Sequence, residues 1–222
     1  MKLGILGLGI RSTHFYTHLL HKRIKEMYGN YHTFPFLMYQ VDFNLINPLL
    51  PNNINELKPV LNNINKELVK FKMDNWLIPN ITLHETLDQI ELNYAIYHPI
   101  TLLLNYCKSN DVKQIIVLGT NYTMNSNYIS NCLKDTPIVI AKISKEEQNL
   151  VDNLRSNVYN KKESKLEIES YKRLISKYSK KSYIIIACTE LSLLTSQVQS
   201  NKIIDLALLQ INQVFLDYIN KK

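Results

Sequence analysis

Cysteine is scarce in this sequence: Cys107, Cys132 and Cys188 are spread across 222 residues. An odd, widely spaced set builds neither a disulfide framework nor a zinc cluster, so three free thiols are expected. The six histidines include no HExxH and no pair at convincing metal-ligand spacing, which argues against a structural or catalytic metal. No stretch approaches the ~20 apolar residues of a membrane span, and no membrane partner is expected. The opening MKLGILGLGI is too short for a signal h-region with its cleavage site, and it passes straight into RSTHFYTHLLHKR. The expected location is the cytoplasm.

Hydrophobic residues make up 45% of the chain and charged residues 20%, the balance of a soluble globular protein. The length allows one sizeable core or two small ones. The net charge is +7, and much of the excess lies between Arg155 and Lys181, where Glu163, Glu167 and Glu169 interrupt the lysines. That spacing suits the solvated face of a helix. No recognition motif accompanies the charge, so nucleic acid is not an expected partner.

Strand-like and helix-like runs alternate along the chain. KLGILGLG, FPFLMYQVDF, NWLIPN, QIIVLGT, PIVIA and SYIIIAC read as strands. Apolar spacing predicts helices over Ser12–Tyr28, Asn55–Phe71, Pro99–Lys108, Lys145–Tyr159, Glu163–Tyr178 and about Leu206–Ile219, the last following IIDL. Such alternation implies an α/β fold whose parallel sheets are flanked by helices. A faint repeat supports two pseudo-symmetric domains. ILGLGIRSTHFY and VLGTNYTMNSNY share a strand, a glycine, a polar turn and a tyrosine, while LIPNITLHE and IIACTELSL each follow a strand with a polar cluster. The boundary falls near residues 95–112, with 1–98 plus 206–222 as one domain and 99–205 as the other. Ligands of open α/β sheets sit beyond strand carboxyl ends, where all four polar clusters lie. If the halves face one another, the clusters converge on a cleft between them.

GLGIRS begins like the dinucleotide fingerprint, but Ser12 replaces its third glycine and Asp42 lies beyond the ~20 residues expected for the ribose ligand. A better reading is a tight strand-to-helix turn. There Ser12 and Thr13 offer hydroxyls, and the helix offers N–H groups, to a carboxylate.

YIIIACTELSLL places Cys188 at a strand end and a helix start, a setting that lowers a thiol pKa. Glu190 follows at once, either to position a neighbouring group or as a first-turn helix carboxylate. The chain, over essentially its whole length and in order, resembles the aspartate/glutamate racemase superfamily. GLGIRSTHFY looks like that family's first loop, VDF like a phrase after its second strand, and IPNITLH like its first catalytic loop, usually P-C-N-T-x-H. VLGTNYTMNSNY is similar to its G-T-x-x-T loop, and ACTELSLL to its second catalytic loop, G-C-T-E-L-x-L-L. The resemblance implies a cofactor-independent amino-acid racemase or epimerase with its site in the interdomain cleft. It also implies two thiols that serve opposite faces of the substrate α-carbon. Family members are often dimers, so a homodimer is an expectation by analogy.

The match keeps Pro79, Thr82 and His84 but puts Asn80 where the first thiol belongs and Ile81 where the family has asparagine. An amide offers no usable proton, so Asn80 binds or orients only. Three readings follow: racemisation with His84, Thr82 or water on the lost face; one-sided chemistry by Cys188, as in single-cysteine decarboxylases; or binding of a small carboxylate without turnover. Cys188, His84 and Thr82 are therefore the catalytic candidates. Arg11, Ser12, Thr13, Asn80, Thr120, Thr123, Thr189 and Glu190 are the candidates for holding an amino-acid or other small carboxylate substrate. For a distal carboxylate, Arg11, Lys161 and Lys162 are the cations on offer. NLINPLLPNN stands after VDF, where family members often place an arginine, and suits a less acidic substrate.

Overall fold

A parallel strand reaches its neighbour only through a crossover, so a chain that alternates strand and helix builds parallel sheets. The computed structural model describes residues 1–51, 53–198 and 200–221; Asn52, within NLINPLLPNN, lies outside them. The strands are β1 (Leu3–Gly7), β2 (Leu37–Gln40), β3 (Asn75–Leu77), β4 (Ala95–Ile96), β5 (Gln114–Leu118), β6 (Val139–Ile140), β7 (Tyr183–Ile186) and β8 (Ile203–Asp205). The helices are α1 (Ile10–Tyr28), α2 (Ile54–Lys70), α3 (His84–Leu87), α4 (Pro99–Ser109), α5 (Asn121–Asn125), α6 (Tyr128–Leu133), α7 (Lys145–Tyr159), α8 (Lys165–Tyr178), α9 (Thr189–Ser192) and α10 (Leu206–Asn220).

The chain divides into two units: Met1–His98 with the residues from Gln210 onward, and Pro99–Leu209. The second crossing falls within α10 rather than at its first residue. The first unit holds a parallel sheet in the order β2-β1-β3-β4, and the second holds one in the order β6-β5-β7-β8. The architecture is α/β, with two parallel four-stranded sheets flanked by helices. In each sheet the chain first winds to one side of its opening strand and then returns to the other. The winding therefore reverses between β1 and β3, and again between β5 and β7. At such points the flanking crossovers diverge and a crevice opens outside the strand carboxyl ends.

Central strands are covered on both faces and edges are not, which explains their composition. β1 is buried throughout, whereas edge strand β2 alternates. Gly4 is required by packing: a Cβ there would stand 2.5 Å from the ring of Trp76, the fully buried centre of the first core. The second core gathers Leu118, Val151, Leu154, Tyr171, Ile186 and Leu191 with Cys188.

Caps decide where helices start. Ser164 and Glu167 form a reciprocal capping box, so α8 begins at Lys165 and not at Glu163 as the apolar spacing predicts. Ser144 and Glu147 do the same for α7. The ladder of β2 stops at Gln40, and Asp42 then caps a 3₁₀ turn by accepting from the Asn44 N–H at 3.0 Å. One of its carboxylate oxygens is thus used within its own turn. Among the described residues no helix is long and apolar enough to cross a membrane.

Candidate active site

The first unit places two polar loops side by side, because β1 and β3 pair in parallel with Ile5 opposite Leu77. After β1, Gly9 is the N-cap of α1 and supplies no side-chain cap, which leaves the first-turn N–H groups open to an anion. Thr13 Oγ1 accepts from the Leu8 N–H at 3.0 Å, so its own proton is still to donate. Ser12 Oγ donates to the Gly9 carbonyl at 3.0 Å and keeps only acceptor capacity. Arg11 is half-buried, and its Nη1 is buried without a hydrogen-bond partner.

The loop after β3 is closed on itself. Asn80 Oδ1 accepts from the Leu83 N–H at 3.0 Å, and the Asn80 carbonyl lies 2.8 Å from His84 Nδ1. A carbonyl only accepts, so Nδ1 carries the proton and Nε2, buried without a partner, is bare. His84 is wholly buried and stands edge-on to His98, with ring centroids 5.0 Å apart. Burial first, and the neighbouring His98 second, lower its pKa to about 3. At neutral pH the ring is an uncharged cap for its own loop. Thr82 is half-buried in the same turn.

The second unit repeats the arrangement, with Leu118 of β5 opposite Ile186 of β7. The Ala187 N–H donates to the Leu118 carbonyl at 2.8 Å. A Cβ on Gly119 would stand 3.3 Å from the Ala187 carbonyl, so glycine permits the two loops to approach. Thr120 caps α5, its Oγ1 accepting from the Thr123 N–H at 3.0 Å and sharing a 2.9 Å bond with Thr123 Oγ1. One of the two hydroxyl protons is used within the pair, and one remains for a ligand.

Cys188 is the N-cap of α9, 8% exposed, with Sγ donating to Glu190 Oε2 at 2.9 Å. Thr189 Oγ1 makes a longer contact to the same oxygen at 3.4 Å. The lowered thiol pKa expected from a strand end and helix start is overturned here. Burial pushes the thiol well above its ordinary value, the Glu190 charge adds to that, and the Glu190 backbone N–H and then Arg155 only partly oppose it. The one-turn helix offers too small a dipole to compete with desolvation. In the resting protein Cys188 is a neutral thiol held by a carboxylate.

The structure thus gathers Arg11, Ser12, Thr13, Asn80, Thr82 and His84 at one switch point, and Thr120, Thr123, Cys188, Thr189 and Glu190 at the other. Cys107 is buried in α4 and Cys132 sits in α6. Lys161 and Lys162 are exposed beyond the end of α7. The residue missed by sequence reasoning is Arg155. It opens the basic segment assigned to a solvated face, yet it is half-buried, ion-paired to Asp152 at 2.8 Å, and its charge is felt at Cys188. Among the described residues no group of three or more His, Cys, Asp or Glu is placed to hold a metal.

No protein-family model matches the sequence, and no curated protein matches it. Solved structures do match in fold. A candidate Asp/Glu racemase from Yersinia pestis is 23% identical, with 98% of each chain covered and a TM-score of 0.82. An aspartate racemase homologue from Pyrococcus horikoshii OT3 is 22% identical over 99% of each chain, with a TM-score of 0.79. Picrophilus torridus aspartate racemase is 20% identical, covering 97% of this chain and 93% of its own, with a TM-score of 0.75. This chain has the fold of those proteins from end to end.

Proposed function

We propose that the protein moves a proton at the α-carbon of a small amino-acid carboxylate, as a racemase or epimerase without cofactor, with Cys188 as acid/base. The observation that carries this reading is the Cys188 Sγ–Glu190 Oε2 hydrogen bond of 2.9 Å beside a sheet switch point. A Cα–H is a very weak acid, so its base has to be a thiolate sheltered from water. Glu190 is placed to receive the thiol proton: the S–H bond breaks, an O–H bond forms, and the negative charge passes to sulfur. In the reverse direction the resting thiol protonates a carbanion. In the unit that holds Cys188, the spare proton of the Thr120–Thr123 pair suits the substrate carboxylate.

A second reading is favoured by the loop after β3 in the first unit. Asn80 has no acidic proton, and His84 is buried and neutral, which leaves the first unit without a titrating group at the family's thiol position. A neutral Cys188 then serves one face only, as the acid that protonates a carbanion left by decarboxylation or another lyase step.

NMR of α-proton washout in deuterated buffer, over L- and D-amino acids with Cys188→Ala as control, separates the readings. Washout with inversion, lost in Cys188→Ala, is the expected result. Washout from one enantiomer without inversion supports the one-sided thiol. Absence of exchange across the panel sinks the amino-acid racemase reading.

A further inference from the structure

α7 turns Val151, Leu154 and Val158 into the core. Arg155 falls on the same stripe, at i+4 from Val151 and i+3 before Val158. That stripe packs on α9, whose N-cap is Cys188. Asp152 anchors the guanidinium by accepting from Nε at 2.8 Å, its one hydrogen bond among the described residues. Both Nη groups are therefore uncommitted, on a side chain that is 30% exposed. An anchored, half-buried guanidinium holds its charge in a fixed place and is screened less than a surface lysine.

We propose that Arg155 is a positioning residue for the Cys188–Glu190 pair: its guanidinium is the counter-charge that lets the proton leave Sγ and the thiolate persist. The inference rests on the reading of Cys188 as acid/base. The groups that act on the thiol are Glu190 from α9, Arg155 from α7 and the Tyr171 phenol from α8, with Asp205 at the end of β8 acting on Tyr171 in turn. The Glu190 carboxylate opposes a second negative charge while its backbone N–H favours one, and Tyr171 is buried with its hydroxyl unpartnered. Arg155 is the cation in this set. Without it, thiolate formation in a desolvated core lacks a compensating charge.

The test is the rate of Cys188 alkylation by iodoacetamide between about pH 7 and pH 10, spanning an ordinary thiol pKa. It is read by mass spectrometry of the Cys188 peptide, with the Cys107 and Cys132 peptides as internal references. Arg155→Gln is expected to slow alkylation about tenfold at each pH, the thiolate lost for one unit of pKa. Arg155→Lys slows it less, and Glu190→Gln speeds it by removing a repelling charge. Loosened packing exposes the thiol and speeds the reaction, so slowing is not the mark of a damaged fold. An Arg155→Gln rate within about twofold of the unmodified protein, or faster, overturns the proposal. No substrate enters the measurement. Slowed alkylation without any α-proton exchange therefore keeps Arg155's role at the thiol while removing the racemase reading.

Discussion

Asn80 and His84 form a closed local circuit in which the carbonyl of one fixes the ring of the other, 2.8 Å away. The circuit has a pH signature. The unfolded chain takes up a proton on this histidine below about pH 6.5, while burial makes the fold refuse it down to about 3. His84 thus leaves stability intact above the unfolded pKa and erodes it as pH falls through that window, by several kcal/mol at most. In His84→Asn an amide N–H can still reach the Asn80 carbonyl, but no group titrates. The stability gap between the two proteins, measured by urea unfolding from about pH 7 to pH 4, is expected to narrow as pH falls. A gap that stays constant with pH sinks this account. The loop was legible as a motif, since polar residues after a strand stand out in an apolar sequence. What each residue does there was not legible. A histidine's charge and a cysteine's pKa depend on how much water the packed core excludes, and a local pattern such as ACTELSLL contains no measure of that. Arg155 shows the same limit: on the chain it opens a basic run, and only the packing of α7 on α9 brings its charge to bear on the thiol.

Long, periodic elements were readable and short ones were not. α1, α7 and α10 span enough turns for an apolar stripe to appear, and β5 and β7 are continuous apolar runs. β4 is a two-residue ladder and α9 a single turn, too short for any period, so they emerge only from pairing and packing. β8 was readable only as the lead-in to α10, yet it supplies that helix with its cap. Asp205 Oδ1 accepts from the Ala207 and Leu208 N–H groups at 2.9 and 3.2 Å, while Ser192 and Thr195 hydroxyls donate to its two oxygens. Even with four donors, burial raises the carboxyl pKa to about 6. The fold therefore holds a proton there that the unfolded chain has already lost above its ordinary 3.8. The resulting stability is full below that ordinary value and disappears as pH rises through about 6, a difference on the order of 3 kcal/mol. Asp205→Asn removes this slope. The stability of the unmodified protein relative to the variant is expected to fall from about pH 4 to pH 7 and level off above, as read by denaturant midpoints. A difference that rises with pH would mean that the four donors outweigh desolvation.

At the scale of the whole molecule, the chain writes one sheet pattern twice and then returns to the first unit through α10. Gln210 is the residue at that return. It is fully buried, accepts from the Tyr16 hydroxyl at 2.6 Å through Oε1, and donates to the Tyr97 carbonyl at 2.6 Å through Nε2. Further along, Asp217 accepts from the Tyr97 hydroxyl at 3.0 Å, and Tyr218 packs on Phe34 with centroids 4.6 Å apart. The first unit's core thus depends on residues that follow the entire second unit in sequence. Gln210→Leu keeps the volume but takes away the Gln210 bond to the Tyr16 hydroxyl and the side-chain donor to the Tyr97 carbonyl, and a buried polar group left unpaired costs about 1–3 kcal/mol. Hydrogen exchange locates where that cost falls. Amides of β1 and β3 are expected to exchange faster in the variant by about the factor those energies imply, while amides of β5 and β7 keep their protection. Uniform acceleration in both sheets would mean that the units unfold as one cooperative body. Acceleration confined to β5 and β7 would mean that α10 belongs energetically to the unit it leaves, not the one it enters.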